Sequence, residues 1–171
     1  MTRIVLILSG KDMNNMLISL MFVLLLMMIS CGGEDTENFP NEHESLNWSD
    51  KAQDTMNWDG AVEYCENLGG RLPTISELRT LIQNCPATET GGECGVTDSC
   101  LSWDCLTDSC DGCEDDGSGK YSVFGDTEVF WSSSKPSDYT DGAWAVAFTS
   151  GKVDTIFKST PRDMSTVCVR P

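Results

Sequence analysis

Cysteine is the residue type with the widest chemistry in this sequence, which contains nine cysteines and a single histidine, His43. Cysteine thiolates act as nucleophiles, redox centres or metal ligands, and paired cysteines form disulfides. Cys110 and Cys113 form a CxxC motif in a loop crowded with Asp and Glu, with no histidine nearby. A zinc–thiolate site stays open as an alternative to disulfides, whereas a thioredoxin-like redox role lacks the βαβ pattern that it needs.

The N-terminal region reads as an export signal. Residues 16–29 form an apolar run preceded by basic residues, and the run is shorter than the ~20 apolar residues of a membrane-spanning helix. Directly after it, the sequence around Cys31 resembles a bacterial lipoprotein box, in which the cysteine is lipidated. We therefore predict a lipoprotein signal peptide over residues 1–30 and a lipid anchor on Cys31. A plain signal peptide or a signal anchor is the alternative.

The net charge of the chain limits the classes of partner that it can bind. It has 27 acidic and 11 basic residues and a net charge of −16. Nucleic acid is excluded as a partner, because phosphate binding depends on Lys and Arg. Residues 31–54 are acidic and poor in apolar side chains, so they predict a flexible tether that begins at the lipidated cysteine. The folded domain is then expected over residues 55–171, as a monomer held at the outer membrane or cell surface.

Export predicts that the other cysteines are oxidised, because an even number in an exported chain is typical of disulfides. Five of them lie between residues 86 and 120, in a loop with few aliphatic side chains. Cross-links must supply the order that a core cannot give to such a loop. The eight cysteines are Cys65, Cys85, Cys94, Cys100, Cys105, Cys110, Cys113 and Cys168.

The rest of the domain predicts an α+β fold with two helices and a short antiparallel Trp-rich sheet. Asn57 is a helix cap before an apolar face that extends to about Leu68. Thr74 begins a second helix, with Glu77 completing a capping box. Strands are expected at residues 129–132, 143–148, 152–157 and 166–170, with a hairpin turn at Ser150-Gly151. Trp58, Trp131 and Trp144 have the spacing of core residues.

Two candidate ligand sites lie in the Cys-rich loop. Five carboxylates crowd it and could supply the oxygen ligands that Ca²⁺ needs, although the EF-hand spacing is absent and a solvated acidic loop is the alternative. Calcium is the one cofactor that the sequence suggests. Trp103, between two cysteines, is the candidate for an exposed aromatic contact with a ligand. The five carboxylates are Asp108, Asp111, Glu114, Asp115 and Asp116.

Five ordered blocks of the domain resemble the Lcl C-terminal domain family. They are residues 58–68 (WDGAVEYCENL), 70–78 (GRLPTISEL), 130–134 (FWSSS), 143–148 (AWAVAF) and 167–170 (VCVR). The resemblance implies a C-type lectin-like fold, which is also that of formylglycine-generating enzymes. In that fold a cysteine on the first helix pairs with one on the last strand, which implies a disulfide between Cys65 and Cys168. The other six cysteines then remain unassigned among 15 pairings.

The resemblance leaves three functions open. The favoured one is non-catalytic recognition or adhesion at the cell surface through the Cys-rich loop, with a glycan or a protein as ligand. The second is an enzyme related to formylglycine-generating or sulfatase-modifying proteins, but no catalytic residue is predicted, because the domain lacks a histidine base and a late pair of accessible cysteines. The third is a structural envelope protein. The Glu-Pro-Asn and Trp-Asn-Asp triplets of calcium-dependent lectins are absent.

Overall fold

The computed structural model describes residues 38–115, 117–159 and 164–170, which contain two α-helices, six short strands and two single-turn 3-10 helices at Trp103–Cys105 and Asp108–Cys110. The strands are β1 (Asn41–His43), β2 (Leu46–Trp48), β3 (Val129–Trp131), β4 (Gly142–Ala147), β5 (Lys152–Phe157) and β6 (Val169–Arg170), and the helices are α1 (Trp58–Asn67) and α2 (Ile75–Thr80). The strands form two antiparallel sheets, in the orders β1-β2-β6 and β3-β4-β5. The mixed α+β class is confirmed. The predicted signal peptide and Cys31 lie outside the described residues.

Both helices begin where the sequence predicts. The Asn57 side chain accepts a hydrogen bond from the Gly60 amide at 2.8 Å and caps α1. Thr74 caps α2, and Glu77 completes the capping box by accepting from the Thr74 amide at 2.8 Å. These bonds satisfy amide groups that have no partner inside a helix. The two caps therefore fix the residue at which each helix begins.

Glu77 also forms a two-pronged ion pair with Arg71, with N–O distances of 2.6 and 2.7 Å. Burial raises the pKa of Glu77, but the guanidinium of Arg71 and the amide of Thr74 outweigh it and hold this pKa below its ordinary value of 4.5. A carboxyl whose pKa is lowered by folding stabilises the protein above that ordinary value, and the stabilisation is lost as the pH falls through the folded-state pKa.

We therefore expect Glu77→Gln to lower the free energy of unfolding by about 1 kcal/mol at neutral pH. The loss should shrink in acid, because the native carboxylate is then protonated as well. Urea unfolding of both proteins at about pH 7 and about pH 2.5 measures the difference. An equal loss at both pH values would show that the charge of Glu77 contributes nothing.

The sheet β3-β4-β5 contains the hairpin that the sequence predicts, between β4 and β5. Gly151 has a φ of +70°, which favours glycine, and it closes the turn between β4 and β5. A Cβ at this position would lie 3.2 Å from the Cβ of Cys85, so the turn packs closely on the start of the Cys-rich loop. Trp131 and Trp144 are fully buried, as expected for core residues.

The predicted tether is wrong for residues 38–54. Phe39 and Trp48 are buried, and β2 pairs with β6 at the C-terminus, so this segment is part of the folded domain. The turn between β1 and β2 places Glu44 and Ser45 at φ values of 51° and 64°. Such a turn ordinarily carries Asn-Gly. The sequence has no Asn-Gly pair here, so the hairpin was not predicted. Because most of the segment is polar, the burial of Phe39 and Trp48 was not predicted either.

Cys65 of α1 and Cys168, next to β6, form a disulfide with a Cα–Cα distance of 5.3 Å. This pair is the one that the family resemblance implies, and it is confirmed. Both cysteines are fully buried. The disulfide joins positions 103 residues apart and so ties the first helix to the end of the domain.

Candidate functional site

Three disulfides cross-link the loop between α2 and β3. They pair Cys85 with Cys113, Cys94 with Cys110, and Cys100 with Cys105. The two cysteines of the CxxC motif therefore have different partners. Every cysteine that the structure describes is in a disulfide, so neither the zinc–thiolate site nor a redox-active CxxC has a thiolate to use.

Arg79 of α2 is buried beneath the first half of this loop and binds its backbone. Its side chain is 2% exposed, and burial lowers its pKa. The guanidinium donates to four backbone carbonyls, those of Thr88, Glu89, Cys94 and Val96. A buried charge is tolerated when hydrogen bonds replace the lost water. Sequence reasoning missed this residue, because nothing in a helical pattern distinguishes a buried arginine from an exposed one.

Four of the five predicted calcium ligands lie in the described residues, and these four do not form a metal-binding group. Asp111 forms an ion pair with Lys152 at 3.1 Å, and the Asp115 carboxylate accepts from the Gly117 amide at 3.2 Å. No group of three or more Asp, Glu, His or Cys side chains that could hold a metal ion exists in the described residues. Asp108 and Glu114 therefore join no such group, and Asp116 lies outside these residues.

Trp103 is 47% exposed, as the sequence predicts, and its position is held from two sides. The Cys100–Cys105 disulfide closes the short turn that carries it. On the other side, the Trp103 amide donates to the Asp138 carboxylate at 2.8 Å. The Ser137 amide also donates to the Leu101 carbonyl, at 3.0 Å. The loop of residues 135–141 therefore braces the Trp103 turn.

The same loop carries a second aromatic group. The Tyr139 ring meets the Phe157 ring edge to face, with 5.3 Å between the centroids. Phe157, at the end of β5, is 57% exposed. The Tyr139 hydroxyl is shielded from solvent and has no hydrogen-bond partner among the described residues. An exposed phenylalanine supported by a half-buried tyrosine is typical of a contact surface.

The prediction that Trp58 is a core residue is only partly right, because Trp58 is half-buried at the start of α1. Its indole N–H donates to the Ser132 carbonyl at 2.8 Å. The ammonium groups of Lys135 and Lys158 each lie 4.7 Å from the centroid of its ring. Lys158 also donates to the Thr140 carbonyl at 2.8 Å, which connects Trp58 to the 135–141 loop.

Burial lowers the pKa of Lys158, and the nearby ammonium of Lys135 lowers it further, while Asp59 and Asp141 act in the opposite direction.

The loop of residues 135–141 connects four aromatic and two cationic side chains, which we call the aromatic surface. Sequence reasoning found only one of them as a candidate, because the others come together from distant parts of the chain. The aromatic surface consists of Trp58, Trp103, Lys135, Tyr139, Phe157 and Lys158.

A family model described as the Lcl C-terminal domain matches residues 37–170. The chain belongs to the Lcl C-terminal domain family. The match begins before β1, so this Lcl C-terminal domain includes the β1–β2 hairpin, in agreement with the structure rather than with the predicted boundary at residue 55. Comparisons with curated proteins and with solved structures gave no match.

The Lcl C-terminal domain also has a polar cleft of about 240 Å³, away from the aromatic surface, with Asp126 and Lys51 among its lining residues. Burial raises the pKa of Asp126, which Lys51 lowers and Glu128 raises by smaller amounts. Lys51 forms an ion pair with Glu128 and lies 3.9 Å from Asp126. The cleft therefore holds a cation already paired with carboxylates.

In the part of the domain that the structure describes, none of the helices has both the length and the apolar character needed to cross a membrane.

Proposed function

We propose that this Lcl C-terminal domain is a non-catalytic recognition and adhesion domain of the bacterial cell envelope, with a C-type lectin-like fold. The observation that carries the proposal is the exposure of Trp103 and Phe157 on a surface braced by a disulfide and by the 135–141 loop. Rigid, amphipathic aromatic side chains contact ligands at a low cost in conformational entropy. The ligand is a surface glycan or protein, and the domain acts as a monomer.

The C-type lectin-like part of the proposal is supported by three features. A disulfide joins the first described helix to the C-terminal segment, two small sheets flank the core, and a long cross-linked loop separates the helices from β3. The disulfide is the feature that the family resemblance implies. Solving the structure of the oxidised domain by crystallography and comparing its topology with known lectin-like domains tests this part.

Recognition is favoured over the chemistry of formylglycine-generating enzymes by the state of the cysteines. That chemistry needs accessible thiols, and each of the eight described cysteines is in a disulfide. Counting thiols in the denatured, unreduced protein with a thiol reagent distinguishes the two functions. If these eight cysteines give no free thiol, the result supports recognition. A reactive pair of thiols would favour the enzyme.

The place of the domain in the cell rests on the sequence before it. The apolar run at residues 16–29 and the lipobox-like sequence at Cys31 support processing before Cys31 and lipid attachment to it. The mass of the N-terminal peptide from the membrane fraction tests this anchor. A diacylglycerol-modified Cys31 is expected, and an unmodified N-terminus at another residue would contradict it.

Trp103→Ala is expected to reduce ligand binding by about tenfold or more, because exposed aromatic anchors contribute a large share of the binding energy of an interface. The oxidised protein is screened on glycan and surface-protein arrays, and every hit is measured again with the variant. Phe124→Ala is the matched control, since Phe124 is 37% exposed but packs beside Trp48 on another part of the domain. Equal losses in both variants would contradict the proposed site, and the absence of any hit would favour the structural envelope function.

A further inference from the structure

The aromatic surface carries two cations that form no ion pair with any carboxylate in the described part of the chain. Lys51, Arg71 and Lys152 all form ion pairs with carboxylates. Lys135 and Lys158 instead lie over Trp58, and neither is within ion-pair distance of a carboxylate among the described residues. In a chain with a net charge of −16, two adjacent cations of this kind call for an explanation.

The two ammonium groups share one indole ring and repel each other. Lys135 is one of the causes that lower the pKa of Lys158. Asp59 and Asp141 offset part of this effect without forming ion pairs with Lys158. A carboxylate from outside that contacts either ammonium group would offset this repulsion and accept a charge-assisted hydrogen bond from it.

Next to this cationic part lies an apolar one. Phe157 is 57% exposed and meets Tyr139 edge to face. The 135–141 loop connects the two parts, because Tyr139 lies on this loop and Lys158 donates to its Thr140 carbonyl. A ligand that fits both must carry an anionic group close to an apolar or aromatic side chain.

The overall charge decides between two sources of such a ligand. A polyanionic glycan carries charge on every repeat, so it would also meet the carboxylates of Asp138, which accepts from the Trp103 amide, and Asp141, which acts on Lys158. A protein segment with one or two carboxylates among apolar residues meets mainly the two lysines. We propose that the aromatic surface binds an acidic, aromatic-containing peptide segment of a protein partner, an inference that rests on the proposed recognition function.

The test uses a random dodecapeptide library displayed on phage and selected on the oxidised protein. Enriched peptides are expected to contain Asp or Glu next to Phe, Tyr, Trp or Leu. For a synthetic copy of an enriched peptide, fluorescence polarisation should show a loss of affinity of about tenfold or more with Lys135→Glu and a smaller loss with Lys135→Gln. Replacing the acidic residue of the peptide by its amide should cause a similar loss.

Lys120→Glu is the matched control, because the Lys120 ammonium also lies 4.7 Å from an aromatic centroid, that of Tyr121. The inference is overturned if both charge reversals weaken the peptide equally, or if the enriched peptides lack acidic residues. It is also overturned if a sulfated polysaccharide or polyglutamate binds through the lysines and the peptides do not. A ligand that is lost with Trp103→Ala but not with Lys135→Glu would leave the proposed function intact and refute this inference alone.

Discussion

Replacing Cys65 and Cys168 together by alanine is expected to lower the free energy of unfolding of the otherwise oxidised domain by about 4 kcal/mol. The disulfide connects positions 103 residues apart, so its removal releases a long loop in the unfolded chain. Both cysteines are also fully buried, and alanine leaves no unpaired polar group in their place. For a domain of this size, the loss corresponds to a fall in Tm of about 15 °C.

The Cys100–Cys105 disulfide supplies the matched comparison. It spans only 5 residues, so the same double replacement by alanine should cost about 2 kcal/mol. Urea unfolding of the two variants and the parent protein, all oxidised, measures both losses. The reverse order, with the short disulfide contributing more than the long one, would contradict the structural role given to the Cys65–Cys168 pair.

Arg79→Met is expected to lower the free energy of unfolding by about 3 kcal/mol. Methionine fills much of the same space but donates no hydrogen bond, so the four carbonyls that Arg79 binds lose this donor. Chemical denaturation measures the loss. Hydrogen exchange should also accelerate in residues 85–96, because Arg79 connects this stretch to α2.

Arg71→Met is the control for this prediction. Arg71 is largely exposed and pairs with Glu77 at the surface, so its replacement should cost no more than about 1 kcal/mol. If the two arginine variants were equally stable, the backbone hydrogen bonds of Arg79 would contribute little. Arg79→Lys keeps the charge but not the planar set of donors, and it should fall between the parent and Arg79→Met.

The sequence predicted the elements whose determinants are local. Asn57 and Thr74 cap helices through residues three positions away, and Gly151 supplies the backbone conformation that its hairpin requires. The β1–β2 hairpin escaped prediction because Glu44 and Ser45 occupy positions where glycine or asparagine is usual. Its place in the fold depends on Trp48, whose burial follows from contacts with the rest of the core.

The candidate site could be predicted only in part, for a related reason. Trp103 was recognisable because the disulfide-bonded cysteines around it leave little room for a core. The two lysines that meet at Trp58 come from positions 135 and 158, and only the fold brings these side chains together. Likewise, the pairing of the loop cysteines follows from the path of the chain, since their spacing alone permits 15 arrangements.

Photocrosslinking in cells that express the full chain gives the most direct test of the aromatic surface as the recognition site. A benzophenone amino acid is introduced in place of Trp103, Phe157 or Phe124, one position at a time, and the envelope fraction is irradiated. We expect crosslinks to one common partner from positions 103 and 157 and none from position 124. Crosslinks to that partner from position 124 alone would place the recognition site elsewhere on the domain.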